Sequence, residues 1–528
     1  MPKYRVLVSD PISEQGLQAL LDSPDVEVDI KTDLSPQELI AIIGDYDALL
    51  VRSQTKVTAE ILQAAKKLRA IGRAGVGVDN IDVPASTRHG VVVINAPDGN
   101  TISTCEHTFA MMMAMARKIP QAHMKLKNGT WDRKSFVGVE LKNKTIGILG
   151  FGRIGSEVAV RAKAFGMSVL AYDPFLTRER AESMGVRMST VDEIVEGSDF
   201  ITVHTPLTKD TKHLLSHDQF ARMRDGVRIL NCARGGIIDE KALVEALANG
   251  KVAAAALDVF EEEPPIGNPL VEMDNVVVTP HLGASTEEAQ INVAIDVAKE
   301  LLNILQGLPF RNAVNLPSLS NDSLRTLEPY LTLAEKLGTL AANLAIDSVR
   351  KIEVTFYGPL AEQQTEPVTR SFLKGMLSYY HGEEVNYVNA PFLAEQSQIQ
   401  LKETKSSRHD TYTELLKVSV VTENTTIIVA GTHKATVGPR IVQIGDFKLD
   451  LEPNGTLLLA ENRDKPGMIG KVGTILGGAG VNIDSMKVGK LDNGISLMVL
   501  AVDRAPDEET RREIEVVDGI FSVRDVTL

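Results

Sequence analysis

Cysteine is nearly missing from this chain: Cys105 and Cys232 are its only two in 528 residues. Two thiols make no disulfide framework and match no zinc-type spacing, so no metal is expected and a reducing compartment suits the protein. Long apolar runs are missing too. The stretch Met111–Ala116 falls far short of a bilayer span. No basic leader precedes Tyr4–Asp10, which reads as a strand. The expected location is the cytoplasm, with the earlier removal of a transit peptide left open. There is no excess of positive charge: 70 acidic residues outnumber 56 basic ones, for a net charge of −14. Such a surface repels phosphate backbones, so nucleic acid is not an expected partner, and neither is a membrane. Repeats and low-complexity tracts are also absent. What remains is globular: 43% hydrophobic and 24% charged, in about three to four domains at roughly 150 residues each.

Strand-like and helix-like segments alternate from the start. Val6–Ser9, Val26–Ile30, Ala48–Val51, Leu68–Gly72 and Val91–Ile94 read as strands, with helices between them such as the one Ser35 caps. A long helix is expected from about Ser103 to Asn128, kinked or interrupted by Pro120. A second series begins at Lys144, with strands at Thr145–Leu149, Ser168–Tyr172, Phe200–His204, Arg228–Asn231, Ala253–Asp258 and Asn275–Thr279. Six strands in this rhythm match a dinucleotide-binding domain. A helix over Thr286–Leu305 ends the α/β rhythm, and Leu316–Asn321 reads as a linker. Helices and then β-rich stretches follow to about Phe447. The last block, Gly455–Leu528, reads β-α-β-β-α-β, the ferredoxin-like order.

The sharpest local signal is Gly150-Phe151-Gly152-Arg153-Ile154-Gly155, between an apolar strand and a helix. Gly150 permits a tight turn, Gly152 lets backbone approach a pyrophosphate, and Gly155 allows close helix–strand packing. The helix N-terminus favours the negative charge. The next strand ends in Asp173, whose carboxylate can accept from both ribose hydroxyls and would repel a 2′-phosphate, so NAD is preferred over NADP.

Three ionisable residues stand where later strands end: Arg234 in Asn231–Gly236, Glu263 before Pro264, and His281 in Thr279–Ala284. Hydride transfer from a secondary alcohol needs a base for the alcohol proton, a cation or hydrogen-bond donor for the developing carbonyl, and a clamp for the substrate carboxylate. His281 suits the base, Glu263 can fix its tautomer and stabilise the imidazolium, and Arg234 can hold a carboxylate by two parallel hydrogen bonds.

These blocks resemble the D-isomer-specific 2-hydroxyacid dehydrogenases over about the first 315 residues. The resemblance implies Arg234, Glu263 and His281 as the catalytic set. It implies a substrate domain (1–98 plus 286–315) wrapped around a nucleotide domain (99–285), closing about hinges near Ala96–Thr101 and His281–Thr286. It adds Val76, Arg153, Ile154, Thr205, Cys232, Ala233, Asp258, Gly283 and Ala284 to the cofactor contacts.

Within the family, Val51-Arg52-Ser53, the loop Arg73–Asn80 and Trp131-Asp132-Arg133 resemble the long branch that oxidises 3-phospho-D-glycerate. Arg52, Ser53, Gly77 and Arg133 then join Arg234 and His281 at the substrate, with the Val76–Gly77 backbone meeting its carboxylate. Asn462–Gly470 and Gly480–Asp484 resemble an ACT regulatory domain at 455–528. That implies L-serine as effector, met by Asp464 and Asn482, and self-association as a dimer or tetramer. Residues 316–450 correspond to an intervening regulatory domain, with His433, Lys434 and Arg440 as anion-site candidates. Two rival readings stay open. One is a hydroxypyruvate, glyoxylate or other 2-oxoacid reductase of the same family. The other is an NAD-sensing adaptor without activity.

Overall fold

The computed structural model describes residues 2–317, 321–434 and 436–528. Its first sheet holds β1 (Tyr4–Val8), β2 (Val26–Ile30), β3 (Ala48–Val51), β4 (Ala70–Arg73) and β5 (Val92–Asn95), all parallel, in the order β2-β1-β3-β4-β5. The second sheet holds β6 (Thr145–Leu149), β7 (Ser168–Tyr172), β8 (Arg187–Met188), β9 (Phe200–Val203), β10 (Val227–Asn231), β11 (Val252–Leu257) and β12 (Val276–Val278). Its order, β8-β7-β6-β9-β10-β11-β12, is doubly wound, with the strand order reversing between β6 and β9. Six of these strands are the expected ones. The seventh, β8, has two residues, too few to show a period.

The chain passes between these domains twice. The helix Thr101–Arg117 packs Cys105, Phe109 and Met112 into the core of the second sheet. It stops at Lys118, which takes a left-handed conformation at φ 53°, and Pro120 opens a new helix, Ile119–Lys127. Proline is tolerated there because the first-turn N–H has no intrahelical partner to lose. The return helix, Glu287–Gln306, is capped by Thr286, whose hydroxyl accepts from Ala289 N at 3.2 Å. It buries Val293, Val297, Ala298 and Leu301 against the first sheet.

The expected linker falls largely on residues 318–320, which lie outside the described residues. Beyond it, the helices Asn321–Leu344 and Glu366–His381 cover a six-stranded sheet. That sheet orders as β14 (Gln400–Ser406), β13 (Val349–Tyr357), β15 (Leu415–Thr422), β16 (Thr426–Lys434), β17 (Gly438–Ile444) and β18 (Phe447–Leu451). The C-terminal strands are β19 (Thr456–Arg463), β20 (Ile483–Lys490), β21 (Ile495–Val502) and β22 (Ile520–Thr527). They form an antiparallel sheet ordered β20-β21-β19-β22, as the ferredoxin-like reading expects. One face of this sheet packs Leu458, Met498 and Leu500 beneath its own helices. The other buries Leu457, Leu459, Leu497 and Val499 in the core of the intervening domain. Among the described residues no helix is long and apolar enough to cross a membrane.

The two covering helices approach closely because of Gly338 and Gly375. A Cβ on Gly375 would lie 1.9 Å from the Glu335 carbonyl oxygen, and one on Gly338 2.1 Å from that of Phe372. Gly375→Val is therefore expected to cost about 1–3 kcal/mol through overpacking. Calorimetry should show the melting of the C-terminal half shifted down, with nucleotide binding by the N-terminal half intact.

Candidate active site

Both parallel sheets turn their carboxyl ends toward one cleft. From the first come Arg52 and Ser53 after β3, and Arg73 to Gly77 at the end of β4. From the second come the glycine loop after β6, Thr205 after β9, Cys232 to Arg234 after β10, Asp258 after β11 and His281 after β12.

His281 and Glu263 meet directly, with Nδ1 to Oε2 at 2.8 Å. The other Glu263 oxygen accepts from Phe260 N at 3.2 Å. Burial pushes the Glu263 carboxyl up, but the His281 hydrogen bond and charge, the Phe260 N–H and the Arg234 charge outweigh it and hold it below its ordinary value. His281 sits at φ +55°, a left-handed backbone rarely adopted by non-glycine residues. Asp258, 1% exposed, holds this turn: it accepts from Thr279 Oγ1 at 2.6 Å, Leu282 N at 2.7 Å and Gly283 N at 2.8 Å. His107 Nε2 lies 3.1 Å from the same carboxylate. Burial opposes the Asp258 charge, yet the hydrogen bonds from His107, Thr279 and Leu282 leave it below its ordinary range.

Arg234 bridges the cleft. Its Nε donates to Asp79 Oδ2 at 3.1 Å and its Nη1 to Ala233 O at 2.7 Å. Its Nη2 lies against Gly77, only 1.9 Å from where a Cβ would stand. Val76 is fixed through its carbonyl, which accepts from Asn95 Nδ2 at 2.5 Å. The buried carboxylate of Asp10 accepts from Arg52 N, Gln54 N and Thr55 N, shaping the loop that carries exposed Ser53.

Arg73, Asp79, Asp10 and His107 were not singled out from sequence. Arg73 is the most informative of them: its Nε is buried without a hydrogen-bond partner. Burial first, then the charges of Arg234 and Arg52, bring its guanidinium down to about 10. A basic residue closing an apolar strand ahead of a glycine-rich loop was the available signal.

The nucleotide residues fit a dinucleotide. Gly150 takes φ +97°, and a Cβ there would strike the His204 carbonyl at 2.5 Å. Gly152 opens onto free space, and Gly155 abuts the Gly150 carbonyl. Asp173 Oδ2 accepts from Phe151 N at 2.9 Å and Oδ1 from Phe175 N at 2.8 Å, which leaves each oxygen a further lone pair. Thr205 Oγ1 is buried without a partner. Arg153 pairs with Asp98 in the 96–101 crossing, and Ile154 packs partly buried on the core. Cys232 is buried, its thiol pushed up to about 12 by burial and by Asp258. Ala233 N donates to Asn231 Oδ1 at 3.0 Å, and Ala284 is half-buried beside Gly283.

Other expected residues do not gather. Arg133 is exposed and makes no side-chain hydrogen bond or ion pair among the described residues. Asp464 and Asn482, expected to share one effector site, lie at opposite ends of the C-terminal sheet. Arg463 pairs with Ile495, whereas Ile483 pairs with Val502 at the far end. A helix separates the first two strands, so the end of one and the start of the next fall a sheet-length apart. Asp464 instead accepts from Lys490 Nζ at 2.9 Å, and Asn482 donates to Asp484 at 2.9 Å. Lys434 and Arg440 both give their charge to Asp450 at 2.7 Å, and His433 stands edge-on to Tyr330. Beside the catalytic loop, His213, Asp239 and Glu261 place ligand-type atoms within 4.8 Å of one another. Asp239 is already committed there as a helix cap and to Ser216.

Family models agree with this layout. Residues 109–283 match the NAD-binding domain of the D-isomer-specific 2-hydroxyacid dehydrogenases. Residues 326–445 match the D-3-phosphoglycerate dehydrogenase intervening domain, and 456–519 the ACT domain. A D-3-phosphoglycerate dehydrogenase of Archaeoglobus fulgidus is 48% identical over 99% of this chain and 100% of its own. The chain belongs to the D-3-phosphoglycerate dehydrogenase family. One of Bacillus subtilis is 46% identical over 99% of this chain and 100% of its own. Among solved structures, a D-lactate dehydrogenase of Aquifex aeolicus complexed with NAD and lactic acid is 29% identical, with a TM-score of 0.52 over 60% of this chain and 100% of that one. NAD is thus the cofactor of this fold.

His204 lies behind the glycine loop. Its Nδ1 is buried without a partner, and burial brings the ring from the ordinary 6.5 down to about 4. The unfolded chain therefore binds a proton that the folded one refuses between these values, and stability falls as pH drops through that window. Denaturation midpoints measured between about pH 4 and 6.5 should show this loss, and His204→Asn should flatten it.

Proposed function

We propose that the protein oxidises 3-phospho-D-glycerate to 3-phosphooxypyruvate, the entry to serine synthesis. The observation that carries this reading is the set Arg52, Arg73 and Arg234 at the mouth of a cleft that also holds the His281–Glu263 pair. When bound, NAD supplies the hydride acceptor; the glycine loop, Asp173 and Thr205 are its holders. Arg234 and the Val76–Gly77 backbone clamp the substrate carboxylate. Nδ1 of His281 is engaged by Glu263, so Nε2 is the atom that takes the hydroxyl proton, and the Glu263 carboxylate stabilises the imidazolium that forms. Arg52 and the half-buried Arg73 face the phosphate, a dianion that offsets their mutual repulsion. A hydroxypyruvate reductase has no use for these two cations. An adaptor has no use for a poised base.

The two buried free thiols suit a reducing, cytoplasmic setting. Self-association uses the arm around Ile119–Lys127, a helix that buries none of its residues. Along it Met124, Leu126, Trp131 and Val137 are 57%, 55%, 78% and 75% exposed, a patch that calls for a second copy. Arg133, on the same arm, then serves the neighbouring copy's cleft. L-serine is the effector. Because Asp464 and Asn482 end opposite ends of the C-terminal sheet, antiparallel pairing of β20 edges between two copies brings one copy's Asp464 beside the other's Asn482.

His281→Ala should lower turnover about 10²- to 10⁴-fold with NADH binding, followed by fluorescence, unchanged. Loss of NADH binding as well would count against the assigned role. Arg52→Ala and Arg73→Ala should each raise KM for 3-phosphoglycerate roughly tenfold or more, the scale of a lost charged hydrogen bond, and leave reduction of hydroxypyruvate little changed. Titration with L-serine should suppress the forward rate; an unchanged rate and affinity would remove the effector claim. In sedimentation, Trp131→Glu with Met124→Glu should shift the assembly to smaller species.

A further inference from the structure

A groove of about 740 Å³ runs along the seam between the substrate domain and the intervening domain. It is not a chance crevice. Val388, 3% exposed, inserts into the core of the substrate domain, and Asn386 Nδ2 donates to Gly90 O at 2.8 Å. Arg370 holds the same turn from behind, its Nη1 donating to Tyr387 O at 3.1 Å. Tyr387 in turn donates to Glu335 Oε2 at 2.6 Å.

The substrate-domain wall carries Lys66, Lys67, Arg69 and Arg88, and the intervening-domain wall adds Lys374. Two of these charges are engaged: Lys374 by Glu335 at 2.6 Å, and Arg69 by the Leu305 carbonyl and the face of Tyr4. Lys66, Lys67 and Arg88 have no side-chain partner among the described residues. Glu383 and Glu384 line the opposite wall without pairing to them. Three free cations on one wall of a chain whose net charge is −14 are a local reversal of its surface. Between the charged walls the floor is apolar, with Leu62, Leu68, Leu308, Phe310 and Leu316. Ligand sites share this make-up, an apolar body surface with a few convergent polar groups, and the volume lies within their usual range.

We propose that this seam is a binding site for a small organic phosphate or carboxylate, distinct from the catalytic cleft. The anionic head lies on Lys66, Lys67 and Arg88, and the apolar body lies over Leu308 and Phe310. Because the walls come from two domains, an occupant favours the docked arrangement over any other, and couples the intervening domain to the domain that carries Arg52 and Arg73.

The test is calorimetric titration of phenyl phosphate into the full chain and into the triple variant Lys66→Gln, Lys67→Gln, Arg88→Gln. These side chains are exposed, and a melting curve verifies the fold of the variant. The expected result is that the intact chain binds one equivalent per chain more than the variant, or binds it at least tenfold more tightly. Glu383→Gln with Glu384→Gln should tighten binding, by removing the opposing charge. Inorganic phosphate should bind the seam more weakly than phenyl phosphate. Equal stoichiometry and affinity in the intact chain and the triple variant would overturn the site. Equal affinity for the two probes would overturn the role of the apolar floor.

Discussion

The geometry of the candidate site hangs on the buried carboxylate of Asp258. It gathers Thr279, Leu282, Gly283 and His107 around one side chain, and His281 N donates to the Asp258 backbone carbonyl at 2.9 Å. These bonds keep His281 in a left-handed turn, a conformation that unaided backbone energetics disfavour. Fixing that turn aims the ring at Glu263. One desolvated anion thus holds the turn that directs the His281 ring.

The glycine loop, the helix capped by Ser35 and the C-terminal βαββαβ order were legible because each has a local rule. A glycine is needed where a Cβ would strike His204, Ser35 can accept from Glu38, and alternating apolar residues mark strands. Arg234, Glu263 and His281 were picked out by their place behind successive strands, and the fold brings His281 and Glu263 together at 2.8 Å. What sequence could not supply is what only the folded register decides. Asp464 and Asn482 look adjacent in function because both border turns, yet the sheet order places them a strand length apart. Lys434 and Arg440 look like free cations until β18 brings Asp450 to them. Arg73 reads as part of a glycine loop, and only the fold shows its Nε to be buried without a hydrogen-bond partner.

The C-terminal half behaves as one body in its packing. The ACT-like sheet shares a core with the intervening domain through Leu457, Leu459, Leu497 and Val499. A strain set up at the sheet edge therefore reaches the helices Asn321–Leu344 and Glu366–His381 through packed side chains rather than through a loop. The second of those helices holds the turn that carries Val388 into the substrate domain. The ACT-like sheet, the two helices and the 386–388 turn thus form a contiguous series of contacts that ends in the core of the first domain.

The pair formed by Arg234 and Asp79 has a consequence of its own. Asp79 is 80% exposed, whereas Arg234 is 29% exposed. If Arg234 is the substrate clamp proposed above, an arriving carboxylate does not meet a loose guanidinium that must be ordered on contact. It meets one already oriented by a tethered understudy, which can swing into water at little desolvation cost. Ligand entry is then an exchange of one anion for another, and the entropy of immobilising the arginine is spent before the encounter.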